Sequence, residues 1–303
     1  MRTERRPGAA SSVEVARRSA TAFAAAGAIQ ARLPDGRLHL QHGPIDLVIA
    51  ADGAPGEVEL AYRQAAERFA PVLGQLVGEL TALRQPVARF LPELDGAVAR
   101  RMVRAVWPYR DRYITPMAAV AGAVAEHVLS GLLAGRALRR AYVNNGGDIA
   151  LWLAPGEALA LGVVSRLDAP RVDRRVIVSA ASPVRGVATS GWGGRSFSLG
   201  IADAVTVFAA DAPAADAAAT IVANAVTVDH PGVMRAPAQS IQADSDLGDT
   251  PVTVAVAIED PAVLAAALDA GAREAELQVA AGAIHGALLF LGGQCRAVGW
   301  SGA

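Results

Sequence analysis

Three short apolar runs near the start of the chain are separated by turns too tight for parallel neighbours. Residues 28–33 and 37–41 flank Pro34-Asp35-Gly36, in which proline presets φ and glycine accepts a positive φ. Gly43-Pro44 then turns the chain into a third run, 45–51. A parallel pair needs a crossover of a dozen or more residues, so these three runs predict an antiparallel meander.

Helices come next. Leu60, Phe69, Leu73, Leu76, Leu80 and Leu83 recur at spacings near three and four, which predicts a helix over 57–83 kinked by Pro71. A second helix is expected over 94–106. A third, over 115–133, has Pro116 in its first turn. Beyond it β-rich runs return at 141–144, 149–153, 158–164, 176–180, 186–188 and 204–208. A helix is expected over 213–226, a strand over 252–258, a helix over 261–280, and a closing strand pair over 283–291 and 296–300. Hairpins mixed with helices, without strict βαβ alternation, give an α+β fold. Residues 1–25 read as a flexible tail. Residues 26–303 read as one domain of two lobes sharing a core, dividing near residue 137 into about 26–136 and 137–303.

Composition narrows the function. An apolar fraction of 52% with 19% charged residues is not that of a disordered chain. A single cysteine, Cys295, forms neither an internal disulfide nor a cysteine zinc cluster, and near the start a lipoprotein cysteine is missing. The net charge of −1 gives no general drive toward nucleic acid or anionic lipid, so neither is expected as a partner. The apolar stretch 117–135 carries Glu126 and His127 at its middle, which favours a core helix over a membrane span. The basic N-terminus lacks a sustained apolar run, so a cytoplasmic location is expected.

Four segments could carry chemistry. Asn144-Asn145-Gly146-Gly147-Asp148 sits between apolar runs, the strongest short hairpin signal, and its tip could also receive an anionic ligand. The loop 186–196 has four glycines and three hydroxyl residues, among them Thr189, Ser190 and Gly191, and ends in Arg195-Ser196; free N–H groups and one cation suit an anion. Asp216 and Thr220 lie four apart on a helix and share a face, continued by Asn224; carboxylate and hydroxyl are hard oxygen ligands suited to Mg²⁺. Asp244-Ser245-Asp246-Leu247-Gly248-Asp249 is acidic but lacks the closing glutamate of an EF-hand and reads as a solvated turn. The histidines have no metal-binding helical spacing. His127 reads as a core residue, and Asp229-His230 as a conceivable acid–base pair.

Taken in order, Asn144…Gly146-Gly147-Asp148, then Thr189-Ser190-Gly191, then Asp216 and Thr220, resemble the ApbE-like superfamily, whose best-known members are FAD:protein FMN transferases. The nearer resemblance is to its UPF0280 branch. It is carried also by Gly36-Arg37-Leu38-His39, Gln41 to Asp46, Ile114 to Gly122 and Asp244 to Asp249, and it covers roughly 28–300. The resemblance implies a T-fold-like arrangement of mixed antiparallel sheets with packed helices. It implies Mg²⁺ on Asp216 and Thr220. It implies a flavin dinucleotide pocket lined by Asn145, Gly146, Gly147, Asp148, Thr189, Ser190, Gly191 and Arg195, and a serine or threonine hydroxyl on another protein as acceptor. Asp148 and His230 are the candidate catalytic bases. Where transferases carry a histidine after the Ser-Gly, this chain reads Gly194-Arg195-Ser196-Phe197-Ser198-Leu199-Gly200. The expected activity is Mg-dependent cleavage of FAD at its pyrophosphate with FMN transfer. The alternatives are binding of another small anionic cofactor, a pterin or nucleotide, and an oligomeric accessory role. A homo-oligomer is expected on the general frequency of dimers.

Overall fold

A computed structural model describes residues 27–87 and 91–300; the tail expected over 1–25 lies outside the described residues. The meander forms as expected, as β1 (Ile29–Arg32), β2 (Leu38–His42) and β3 (Ile45–Gly53), paired antiparallel. Along β2 and the first half of β3 every second residue is buried, the period-two alternation of a sheet with one packed face.

The helix expected over 57–83 is three pieces: α1 (Pro55–Phe69), α2 (Val72–Gly78) and α3 (Leu80–Leu83). Pro71 makes the first break, as its missing N–H requires. The second break, at Glu79, was not legible. There the backbone leaves helical geometry (φ −107°) and the carboxylate accepts the Asp95 and Gly96 N–H groups at 2.6 and 3.2 Å. Gly96 is the N-cap of α4 (Ala97–Val106), so Glu79 satisfies the start of the next helix. The helix expected over 115–133 opens as a 3-10 turn, Pro116–Ala119, and continues as α5 (Val120–Leu133). By length and mean hydropathy (1.4), Pro116–Leu133 could cross a membrane, yet 61% of it is buried inside the fold.

β4 (Leu138–Asn145) and β5 (Asp148–Leu153) form the hairpin turned by Gly146 and Gly147, at φ +65° and +116°. β6 (Ala158–Val164) and β7 (Val172–Ser179) make a separate two-stranded excursion. The main sheet resumes with β8 (Gly186–Ser190) and β9 (Ala204–Ala209). α6 (Ala212–Ala225) follows, capped by Asp211, whose carboxylate accepts the Ala214 N–H at 2.8 Å. β10 (Val233–Pro237) and the short α7 (Ala238–Ile241) were not predicted, because Arg235 and Pro237 interrupt the apolar run. β11 (Pro251–Val256) pairs with β10 alone. α8 (Pro261–Ala280) runs as expected, and β12 (Gly286–Leu291) and β13 (Gln294–Gly299) close the chain.

One antiparallel sheet of nine strands, ordered β1-β2-β3-β4-β5-β8-β9-β12-β13, therefore runs across residue 137. β9 and β12 are buried along their whole length, as strands covered on both faces must be. The long helices pack on one face, α1, α4 and α5 over the β2–β4 side and α6 and α8 over the β8–β13 side. The β6–β7 pair covers the other face, with Leu161, Val163, Val176 and Val178 against Leu151, Phe208 and Phe290. The join between β5 and β8 is short: only Ile149↔Val187 and Ala150↔Gly186 pair there.

Candidate functional site

Register decides which side chains meet at this join. Asp148 is opposite Asn145, and Asn145 is opposite Leu47, which is buried under the helices; cross-strand partners share a face, so Asp148 points to the helix layer. Across the join, Thr189 pairs with Thr206 and Ser190 with Val205. Val205 belongs to the helix-side core, so Ser190 shares the Asp148 face. Thr189 faces away. Its hydroxyl is within 2.9 Å of the Thr206 hydroxyl, and only its backbone N–H reaches Asp148, donating to Oδ1 at 3.1 Å.

Asp216, in the first half of α6, comes from above. Its Oδ2 accepts the Gly122 N–H of α5 at 2.9 Å. A Cβ on Gly122 would sit 2.3 Å from the Ala212 carbonyl oxygen and 2.6 Å from its carbon, so the approach of α5 to the start of α6 needs glycine there. Asn145 anchors the preceding residue, its amide donating to the Ala121 carbonyl at 3.1 Å. Asp148 and Asp216 thus arrive from different elements, close enough that Asp216 feels the charge of Asp148. Burial pushes the Asp148 carboxyl up to about 7, against the Thr189 N–H and the Arg195 charge, which hold it down. Burial, and then the neighbouring Asp148, raise Asp216 well above the usual carboxylate range, against the Gly122 and Ala121 N–H groups. Thr220 follows one turn later on the same face of α6, half-buried.

Arg195 is exposed but leans over the hairpin tip. A Cβ on Gly146 would lie 3.7 Å from its guanidinium, and it donates to the Pro44 carbonyl at 3.5 Å. The Gly147 N–H is already taken by Asn144 Oδ1 at 2.8 Å, so this glycine closes the turn. Gly191 approaches the 202–203 backbone closely, a Cβ there lying 2.7 Å from the Asp203 carbonyl oxygen. Asp203 in turn accepts the Trp192 indole N–H (3.4 Å) and the Gly292 N–H (2.7 Å). Asn224, expected to continue the metal face, instead holds the 194–200 segment: its Oδ1 accepts the Leu199 N–H at 2.9 Å and the Ser198 hydroxyl at 3.2 Å.

His230 is not brought to the carboxylates. It lies past the C-terminal end of α6, where its Nδ1 accepts the Gly232 N–H at 3.0 Å. The acidic loop 244–249 is not a free solvated turn. Thr115 donates to Asp246 Oδ2 at 2.6 Å, Tyr113 to the Asp246 carbonyl at 3.0 Å, and Arg84 pairs with Asp244 at 3.4 Å. Two segments singled out separately in the sequence, 114–122 and 244–249, therefore hold each other. The backbone N–H donors of Ala121 and Gly122 were missed, because a donor on a glycine in an apolar helix leaves no side-chain signal.

A family model described as "AbpE bacteria" matches residues 30–297, nearly the whole described chain. The chain belongs to this ApbE-like family. Among curated proteins it is similar to UPF0280 proteins: 43% identical over 142 residues to one from Methanopyrus kandleri, covering 46% of this chain and 54% of that protein. To another, from Methanothermobacter thermautotrophicus, it is 36% identical, covering 50% and 60%. The chain thus spans less than two thirds of the length of these relatives. Of solved structures, the ApbE protein of Thermotoga maritima aligns at 13% identity and a TM-score of 0.44, covering 89% of this chain and 96% of that one. The flavinyl transferase ApbE of Pseudomonas stutzeri aligns at 12% and 0.38, covering 89% and 93%.

Proposed function

We propose that this ApbE-like chain binds a nucleotide pyrophosphate, with FAD as the leading candidate, at the Asp148–Asp216 pair, and transfers its FMN moiety to a hydroxyl on another protein. The observation that carries the reading is the convergence of two neighbouring, partly buried carboxylates with Arg195 at a glycine turn. Perturbed carboxylates of this kind mark sites built for chemistry.

The donor set fits a hard divalent cation. Asp148 and Asp216 both suffer from burial in the charged form, and a bound cation would offset that cost. Among the described residues no group of three or more His, Cys, Asp or Glu could hold a metal, so side chains supply few ligands. Mg²⁺ is commonly held in this way, by one or two carboxylates with substrate phosphate and water completing the shell. Asp216 and Thr220 would hold the ion; when bound, it supplies charge stabilisation at the pyrophosphate.

The chain's own residues do the rest. Arg195 is placed to bind phosphate oxygens through charge-assisted hydrogen bonds. Ser190, on the carboxylate face, orients the same group. Asp148, facing the helix layer beside Asp216, is placed to take the proton from the acceptor hydroxyl as its oxygen bonds to the FMN phosphorus and the pyrophosphate P–O bond breaks, releasing AMP. His230 stands apart, so the base role rests on Asp148. A second reading keeps the site but changes the ligand to a pterin or another nucleotide. It is favoured by the 194–200 segment, which has no histidine and is held by Asn224.

The test is thermal unfolding with FAD, with Mg²⁺, with both and with neither, followed by an AMP-release assay. A ligand at 100 times its dissociation constant adds about 2.7 kcal/mol. A shift with FAD and Mg²⁺ that Asp216→Asn abolishes supports the reading. A shift by nucleotides or pterins but not FAD moves it to the second one, and no shift with any of them sinks both.

A further inference from the structure

The segment between β8 and β9 displays Arg195 at its crest, and both of its ends are tied down. The far end is held by the C-terminal end of α6: Asn224 accepts the Leu199 N–H at 2.9 Å, and the Ile201 N–H donates to the Val226 carbonyl at 2.8 Å. The near end is held by the residues that lead into β9. The Trp192 N–H donates to the Ala202 carbonyl at 3.0 Å, and the Gly194 N–H closes a turn on the Gly191 carbonyl at 3.2 Å. Between the two ties only Arg195, Ser196 and Phe197 are left, and the first two are exposed.

Asp203 joins the near tie to a third element. Its Oδ1 accepts the Trp192 indole N–H at 3.4 Å and its Oδ2 the Gly292 N–H at 2.7 Å, while its own N–H donates to the Phe290 carbonyl at 2.9 Å. Gly292 and Gly293 turn β12 into β13, at φ +55° and +77°. One half-buried carboxylate therefore ties the arm that carries Arg195 to the end of β12, a strand buried along its whole length. Arg166, whose charge reaches Asp203, is itself paired with Asp168 at 2.6 Å, so the Asp203 oxygens are left to the two N–H donors. Among the described residues no hydrogen bond or ion pair joins Asp203 to Arg195, so any effect of one on the other passes through the loop. An arginine that meets an anion from a loop already fixed in place loses less freedom on binding, and the difference appears as affinity.

We propose that Asp203 is a positioning residue for Arg195: by latching Trp192 to the β12–β13 turn it fixes the 191–195 arm, and so sets the affinity of the site for a phosphate group. The proposal rests on the reading of Arg195 as the phosphate-binding residue. Its test uses the full chain with Mg²⁺ and inorganic pyrophosphate as the probe. Binding is followed by titration calorimetry and the tryptophan indole N–H groups by ¹H–¹⁵N NMR, with Trp192→Phe assigning the Trp192 signal. Arg195→Ala should weaken pyrophosphate binding about tenfold or more. Asp203→Ala and Trp192→Phe should each weaken it about three- to tenfold, with the unfolding midpoint of every variant recorded. In the Arg195→Ala background Asp203→Ala should weaken binding no further, because it acts through that arginine; a general loss of structure would weaken binding in both backgrounds. Without any ligand, Asp203→Ala should bring the Trp192 indole N–H into rapid exchange with solvent. Trp192→Phe, which removes the indole donor and keeps an aromatic ring, carries the test if Asp203→Ala does not fold. Three results overturn the latch while the phosphate reading stands: binding that both variants leave unchanged, equal losses from Asp203→Ala with and without Arg195, or an indole signal that Asp203→Ala does not alter. Pyrophosphate that fails to bind the unaltered chain overturns the phosphate reading, and the role of Asp203 in affinity with it.

Discussion

Gly122→Ala is a one-carbon change with a calculable consequence. The new methyl would lie 2.3 Å from the Ala212 oxygen and 2.9 Å from the Pro213 nitrogen, both backbone atoms that no rotamer change can move. Overpacking of this kind costs about 1–3 kcal/mol. If α5 and α6 separate to admit the methyl, the 2.9 Å bond from the Gly122 N–H to Asp216 lengthens, and such a hydrogen bond contributes about 0.5–1.5 kcal/mol. Together they predict a loss of about 2–4 kcal/mol, which lowers the unfolding midpoint by on the order of 5–10 °C for a chain of this size. Gly74→Ala is the control. It also lies in a helix, α2, but no heavy atom comes within 4 Å of its added methyl. It should be neutral or stabilise by about 0.5–1 kcal/mol. Calorimetry of the two variants checks this, with Mg²⁺-dependent stabilisation as a second readout that only Gly122→Ala should lose. Equal midpoints for the two variants would refute the close-approach argument.

Three other perturbations test other parts of the same geometry. The Asp148 carboxyl is raised from 3.8 to about 7 by burial, so between those pH values the folded chain holds a proton that the unfolded chain has lost, and metal-free stability must fall as pH rises through that window, with the raised Asp216 acting in the same direction; denaturant titrations at pH 4.5 and 7.5 should show the lower value at pH 7.5, and Asp148→Asn should reduce the difference without abolishing it. Asn224→Ala frees the Leu199 N–H and the Ser198 hydroxyl, at about 1–3 kcal/mol; limited proteolysis should then cut the 194–200 segment sooner. Thr115→Val removes the 2.6 Å donor to Asp246, and hydrogen exchange over 244–249 should speed up while exchange in β9 and β12 is unchanged.

The parts that the sequence made legible were those with local causes. Pro34-Asp35-Gly36 and Asn145-Gly146-Gly147 fix their hairpins through turn chemistry, and α8 runs over the span that its pattern gives. Pairing across long separations was not legible. Nothing local says that β8 returns to β5 after the β6–β7 excursion, or that Glu79 leaves its helix to cap α4. At the candidate site, Asp148, Asp216 and Arg195 were readable as residue types, and the structure brings them together. Whether Thr189 or Ser190 shares their face depends on register, which composition does not carry, and the structure selects Ser190.

The two-pair join between β5 and β8 has a thermodynamic consequence. Asp148 is on the first strand of that join, while Asp216 enters on α6, after the chain has crossed it. Neither half of the molecule owns the carboxylate pair; it exists only when both are docked. A cation held by Asp216 and Thr220 would place its charge beside Asp148, drawing the first strand of that join toward α6, and its binding free energy would add to the stability of the folded chain. Without it, the two sides are still held by the packing of α6 on α5 and the Gly122 bond to Asp216, so withdrawal of the ion should lower the unfolding midpoint of the whole chain.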